Sequence, residues 1–168
     1  MTRNDADTAN LPRLEDRVTF LTHRVNARLQ QVSNPVITRF GLDLYSSRVL
    51  FALDQNGPMR VGQLVDQMAL PQSTISHQLK RMEKSGLVHR TRSEVDNRTV
   101  FISVTPEGAK ATQVCTDLSN LVQERIAEEF CETELKALTE GLKRVFEILE
   151  EVPSLEKLAE EHAEHAAE

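Results

Sequence analysis

From Ser73 to Arg98 the chain carries short hydroxyls, an imidazole and long cations at spacings that suit grip on a polyanion rather than bond-making. Ser73, Thr74, Ser76, His77, Lys80 and Arg81 fall in one stretch, and Arg90, Arg92 and Arg98 in the next, with Asp96 two residues before Arg98. Short hydroxyls let a backbone approach base edges and phosphates closely. An imidazole can donate to a guanine or a phosphate, and lysine and arginine reach phosphates. Asp96 and Arg98 share one face of an extended segment. A carboxylate there holds a guanidinium by a charge-assisted hydrogen bond and aims it outward, a form suited to a narrow, negative minor groove. An ordinary surface ion pair on a turn is the plain alternative, worth little. Catalytic chemistry finds no support: the chain has no glycine-rich phosphate loop, no nucleophile elbow and no His-Cys cluster at metal spacing.

These side chains need two elements to present them. Ile75, Leu79 and Met82 recur at helical spacing, which predicts a buried stripe with the polar set facing away. Pro71 suits a first helical position, Ser73 or Thr74 a cap, and Ser85-Gly86 a stop. Upstream, Val61, Leu64, Val65 and Met68 predict a short amphipathic helix ended by Leu70-Pro71. Two short helices joined by a tight turn, the second basic, form a helix-turn-helix. Alone, the pair is better read as two core helices of any small helical protein. Downstream, Leu87–Arg90 and Thr99–Val104 have β-branched strand character around the polar loop TRSEVDN, which predicts a hairpin, or wing.

The run Gly86-Leu87-Val88-x-Arg90, then Asp96-x-Arg98, then Val104-Thr105-Pro106-Glu107-Gly108 closely resembles the MarR family of bacterial transcription regulators. The similarity extends from about Leu11 to Val152, and Arg48-Val49-Leu50 resembles that family's second helix. A bulky aromatic is common there just before the arginine; Ser47 stands in its place, a departure that bears on the effector pocket. The resemblance implies a mainly α (α+β) fold, a winged helix-turn-helix with N- and C-terminal dimerisation helices. It also implies a homodimer on a pseudo-palindromic operator of double-stranded DNA, often released by a small ligand.

The expected organisation is a disordered terminus over 1–10, a dimerisation helix over 11–40 and the DNA-binding domain over 41–105. Dimerisation helices follow over 106–152 and an acidic extension over 153–168. Leu11, Leu14, Val18, Leu21, Val25 and Val32 step by threes and fours, as do Leu135, Leu138, Leu142, Val145, Phe146, Leu149 and Val152. Each stripe needs a facing helix. The residues alone fit packing within one chain as well as between two; the resemblance favours interdigitation of two subunits. Pro35 predicts a bend in the first helix. Thr105 predicts an N-cap, with Pro106 as the first helical residue.

A net charge of −6 does not oppose a nucleic-acid partner, because residues 147–168 hold eight glutamates and one lysine. Pro71 to Thr105 holds six lysines or arginines against three acids. DNA senses the local patch, since charges beyond ~8–10 Å are largely screened. There is no run of 18 apolar residues and no secretory pattern, so a cytoplasmic protein with no membrane partner is expected.

The expected trigger is a small anionic aromatic compound or its coenzyme A thioester. In the resembled family ligands lodge between the DNA-binding lobe and the dimerisation helices. Here His23 and Asn26, with Ala27 and Gln30, lie off the apolar seam, and Tyr45 and Arg48 can meet that side. A fold-bracing Arg48 and a solvated His23 are the plain alternative. A thiol-based redox repressor is a second possibility, but such sensors carry a cysteine near the start of the first helix, where this chain has none. Cys115 fits an apolar stripe with Leu118 and Val122. A winged adaptor without DNA binding is a third, opposed by the intact basic set. No cofactor or metal is expected; His162 and His165 are read as a solvated helix end.

Overall fold

The computed structural model describes residues 12–92, 99–152 and 154–166, without the side chains of 155, 161, 162 and 164–166. The expected N-terminal tail over 1–10, Leu11, the wing residues Asp96 and Arg98, and the side chains of His162 and His165 therefore lie outside the described residues. The chain forms two compact units. One spans Glu15–Val122; the other comprises residues 12–14 and the chain from 123 onward.

The first unit begins with a single 3₁₀ turn crossing its boundary at Leu14–Asp16, then α1 (Val18–Ile37) and a second 3₁₀ turn (Thr38–Phe40). It continues with α2 (Leu44–Asn56), β1 (Met59–Arg60), α3 (Val61–Met68) and α4 (Gln72–Lys84). The strands β2 (Val88–Arg92) and β3 (Val100–Val104) lead into α5 (Pro106–Ala127), which crosses the unit boundary. Pro35 lies inside α1, which runs on to Ile37. The core gathers Ile37, Leu42, Leu50, Leu64, Ile75, Leu79, Met82 and Ile102, with Cys115 from α5. Burying each of the larger apolar side chains stabilises the fold by about 1.5–3 kcal/mol.

The sheet is antiparallel in the order β1-β3-β2. Val88 pairs with Val104 and Arg92 with Val100, so the hairpin register puts Arg92 at the far end of the ladder. The two-residue β1 pairs Met59 with Ile102 and anchors the wing to the helical core. It is too short to show a period in sequence.

Two local features fix how the hairpin leaves and re-enters the helices. Gly86, at φ 71°, ends α4: its N–H donates to the Glu83 carbonyl at 3.0 Å and the Leu87 N–H to the Met82 carbonyl at 2.9 Å. That left-handed C-cap delivers the chain into β2. At the far side Thr105 caps α5, its hydroxyl accepting from the Gly108 N–H at 2.9 Å and donating to the Gly86 carbonyl at 2.6 Å. The Val-Thr-Pro-Glu-Gly run therefore ties the start of α5 to the end of α4.

One boundary differs from expectation. Pro71, at φ −53° and ψ 140°, is itself the N-cap, and its carbonyl accepts the first helical bond from Ile75 N–H at 3.1 Å. Neither Ser73 nor Thr74 caps the helix; both sit inside its first turn, and no side chain takes the cap's role. An extended proline satisfies the cap geometry because it needs no N–H partner of its own.

The second unit holds α6 (Glu132–Glu151) and α7 (Leu155–Ala166). Cys131 and Glu134 form a reciprocal cap at the start of α6. No residue of α6 is buried, although Leu138, Leu142, Phe146 and Leu149 line it at helical spacing. Among the described residues, no helix is long and apolar enough to cross a membrane.

Candidate nucleic-acid interface

The stripe of Ile75, Leu79 and Met82 is buried in full, and this fixes which face α4 shows to solvent. Ser73, Thr74, Ser76, His77, Lys80 and Arg81 are all exposed on that face. No side chain caps the first turn of α4, where Ser73 and Thr74 stand and where the helix dipole favours an anion. On the wing, Arg90 and Arg92 are exposed on β2. Structure thus brings the α4 set together on one surface, while Asp96 and Arg98 lie outside the described residues.

The cations on this surface differ in their freedom. Arg90 Nε donates to Glu83 Oε2 at 3.1 Å, bracing the wing against the last turn of α4. Arg81 Nη1 lies 3.4 Å from Asp43 Oδ2. Lys80 and Arg92 have no ion pair among the described residues.

Beneath this surface stand Asp43 and Gln78, which no motif in the sequence singles out. Asp43 caps α2, its Oδ1 accepting from the Ser46 N–H at 2.8 Å. The Ser46 hydroxyl shares its one proton between Asp43 Oδ1 at 2.8 Å and Gln78 Oε1 at 3.0 Å. The Gln78 amide then donates to Asp43 Oδ2 at 3.2 Å. Burial alone would raise the Asp43 pKa, but the bonds from Ser46 and Gln78 and the Arg81 charge outweigh it and hold the carboxyl below its ordinary value. The aspartate-to-serine spacing is a visible cap signal. The partnership with Gln78, 35 positions away, has no local signature.

The expected effector residues divide. Tyr45 on α2 meets α1, its phenol oxygen accepting from Asn26 Nδ2 at 3.1 Å and Gln30 Nε2 at 3.3 Å. Asn34 adds a third tie, its Oδ1 accepting from the Leu44 N–H at 3.1 Å. His23 is exposed and stacks on Phe20 of its own helix with ring centroids 6.4 Å apart. Arg48 is exposed on α2. Ser47 is buried, and its hydroxyl donates to the Leu44 carbonyl at 2.8 Å.

The cysteines are unlike one another. Cys115 is buried in the core, and desolvation pushes its thiol pKa up, away from the reactive thiolate. Cys131 is exposed at the start of α6.

A helix-turn-helix whose second helix exposes this polar face, followed by a two-stranded wing, defines a winged helix-turn-helix DNA-binding regulator. The family model described as "MarR family" matches residues 45–100. The chain is 32% identical over 123 residues to the HTH-type transcriptional regulator MgrA of Staphylococcus aureus, across 68% of this chain and 84% of that protein. It is 28% identical over 110 residues to the organic hydroperoxide resistance transcriptional regulator of Bacillus subtilis, covering 66% and 75% of the two chains. Among solved structures, AbsC, a MarR family transcriptional regulator from Streptomyces coelicolor, superposes with a TM-score of 0.70 at 26% identity, covering 84% of this chain and 98% of that one. The chain belongs to the MarR family, and is a transcription regulator rather than an enzyme.

Proposed function

We propose that this regulator is a ligand-responsive repressor that binds a pseudo-palindromic operator as a homodimer and is released by a small anionic aromatic compound or its coenzyme A thioester. The observation that carries the DNA-contact assignment is the exposed face of α4, with Ser73, Thr74, Ser76, His77, Lys80 and Arg81 standing on a buried Ile75-Leu79-Met82 stripe. In this proposal α4 enters the major groove, the set Thr74, Ser76 and His77 includes the base readers, and Lys80 and Arg92 hold phosphates. Arg81 and Arg90 contact DNA while restrained by Asp43 and Glu83. Asp96 and Arg98 join the interface on the sequence argument alone.

The homodimer is supported by apolar residues that the single chain leaves exposed: Leu14, Val18, Leu21 and Val25 toward the N-terminus and Leu138, Leu142, Phe146 and Leu149 on α6. Two such chains would place two recognition helices about one turn of DNA apart, as half-site reading needs. The effector assignment rests on Tyr45. Its phenol oxygen accepts from two amides, which leaves its own O–H to donate to a carboxylate or carbonyl, with His23 and Arg48 supplying positive or polar contacts.

Redox control is the second reading, favoured by the name of the Bacillus subtilis relative and by the exposed Cys131. One experiment separates the two. The protein is bound to a duplex selected from a random-sequence pool, then challenged with aromatic acids, their coenzyme A thioesters, or peroxide. Release by an aromatic acid or thioester in reductant supports ligand control. Release by peroxide alone, lost in Cys131→Ser, supports the redox reading.

A further inference from the structure

Asp43 joins the start of α2 to the middle of α4. Its two oxygens hold the first turn of α2 through Ser46, and α4 through Gln78 and Arg81. Gln78 is one of four buried polar residues among those described, and it sits in the middle of the DNA-facing helix with its amide turned inward. The Arg81 side chain is 48% exposed and that of Asp43 25%, so the pair lies at the edge of the exposed α4 face. A carboxylate in that place repels phosphate and competes with it for Arg81. Resting on the assignment of α4 as the DNA-contacting helix, we propose that Asp43 is a specificity-determining residue, restraining Arg81 so that it adds little to indiscriminate phosphate binding.

Two consequences follow from elementary electrostatics. On random duplex, affinity is almost wholly counterion release, so a neutralised arginine contributes little to affinity or salt dependence. On the selected site, an arginine already held in one geometry loses less freedom on contact than a free one. Asp43 therefore widens the gap between right and wrong DNA without touching a base.

The side chains allow a clean test. Asparagine caps a helix as well as aspartate does. In Asp43→Asn the Gln78 amide can turn over. The nitrogen of the introduced amide would then donate to Gln78 Oε1, Gln78 Nε2 to the Ser46 oxygen, and the Ser46 hydroxyl to the oxygen of the introduced amide. Each of these side-chain hydrogen bonds keeps a donor and an acceptor, and only the tie to Arg81 is lost. Binding would be measured for wild type, D43N, R81M, D43N/R81M, K80M and H77A across a salt series. The probes are a duplex selected from a random pool and a random duplex of equal length. D43N should tighten random-duplex binding, steepen its salt slope by about one unit per protomer, and lower the selected-to-random ratio by about two- to fivefold, the scale of one partly exposed ion pair. R81M should lower the random-duplex salt slope clearly less than K80M does, and D43N/R81M should fall back to the slope of R81M.

An unchanged ratio and slope in D43N, or a slope loss in R81M as large as in K80M, would overturn the inference. The second comparison uses the wild-type background and decides the matter even if D43N fails to fold. If K80M and H77A also leave both duplexes bound as before, the α4 interface itself is wrong. If they weaken binding while D43N does nothing, only the role of Asp43 fails.

Discussion

Gly108 stands against Leu87 so closely that a Cβ added to it would fall 2.0 Å from the Leu87 carbonyl oxygen. It would also fall 2.8 Å from Val104 Cγ1. Backbone oxygen cannot yield as a flexible side chain would, so this contact locks the first turn of α5 onto the start of the wing. An alanine inside a helix is ordinarily favoured over glycine by about 1 kcal/mol. Here overpacking should win, and Gly108→Ala is expected to cost about 1–2 kcal/mol net. Urea unfolding of the two proteins checks it; equal or greater stability in the variant would show that the junction relaxes freely. Thr105→Val, which removes the hydroxyl between Gly86 and Gly108, should cost about 1–2 kcal/mol.

Acid should loosen the joint between α2 and α4. The folded pKa of Asp43 is lowered relative to its ordinary value of 3.8, so the carboxylate stabilises the fold above that value. This contribution disappears as pH falls through the folded pKa. Unfolding free energy measured from pH 7 to pH 2 should therefore drop more steeply below about pH 4 in wild type than in Asp43→Asn. Parallel curves would mean that folding leaves the Asp43 pKa unchanged, its hydrogen bonds and Arg81 doing no more than offset its burial.

Much of this architecture is legible in the sequence because its signals are periodic or local. Ile75, Leu79 and Met82 announce which face of α4 is buried, and the polar set follows by exclusion. Gly86, Thr105 and Pro106 mark their boundaries by backbone chemistry that few other residues share. What escapes is what depends on distant partners. Gln78 looks like any glutamine on a helix surface, and only the approach of Asp43 makes it a buried tie. Two-residue β1 has no period to detect. Asn26 and Tyr45 are joined by a hydrogen bond, but nothing in the residues distinguishes them from His23 and Arg48, which are exposed.

His77 should act as a base reader. It is exposed between Ser76 and the buried Gln78, one turn into α4. Replacing it by alanine should cost on the order of 1–3 kcal/mol on a selected duplex and much less on a random one at the same salt concentration. Equal losses on both would move His77 to the phosphate backbone.

Self-association should depend on α6. Phe146 and Leu142 are exposed in the single chain, so Phe146→Glu or Leu142→Glu removes nothing from its core. Sedimentation equilibrium should show the variants shifted toward monomer, with operator affinity falling in step and the concentration dependence of thermal unfolding that a dimer shows being diminished. Variants that sediment as tightly associated dimers would place the dimer seam elsewhere.

The effector response should separate from DNA binding at Tyr45 and Arg48. Neither belongs to the α4 surface, and Arg48 is exposed, so its loss should spare the fold. Moving a two-state equilibrium from 1:99 to 99:1 takes about 5.5 kcal/mol of differential affinity, which requires several specific contacts from a small ligand. Arg48→Ala should remove a charge-assisted contact to an anionic ligand, and Tyr45→Phe a donor, while also leaving Asn26 and Gln30 without their shared acceptor. Titrating an aromatic acid or thioester that releases the wild-type complex should then need at least about tenfold more ligand for Arg48→Ala, the scale of a lost charged hydrogen bond. DNA affinity without ligand should change less than that. Ligand response and DNA affinity falling together in both variants would assign Tyr45 and Arg48 to bracing α2 and direct the search for the effector elsewhere.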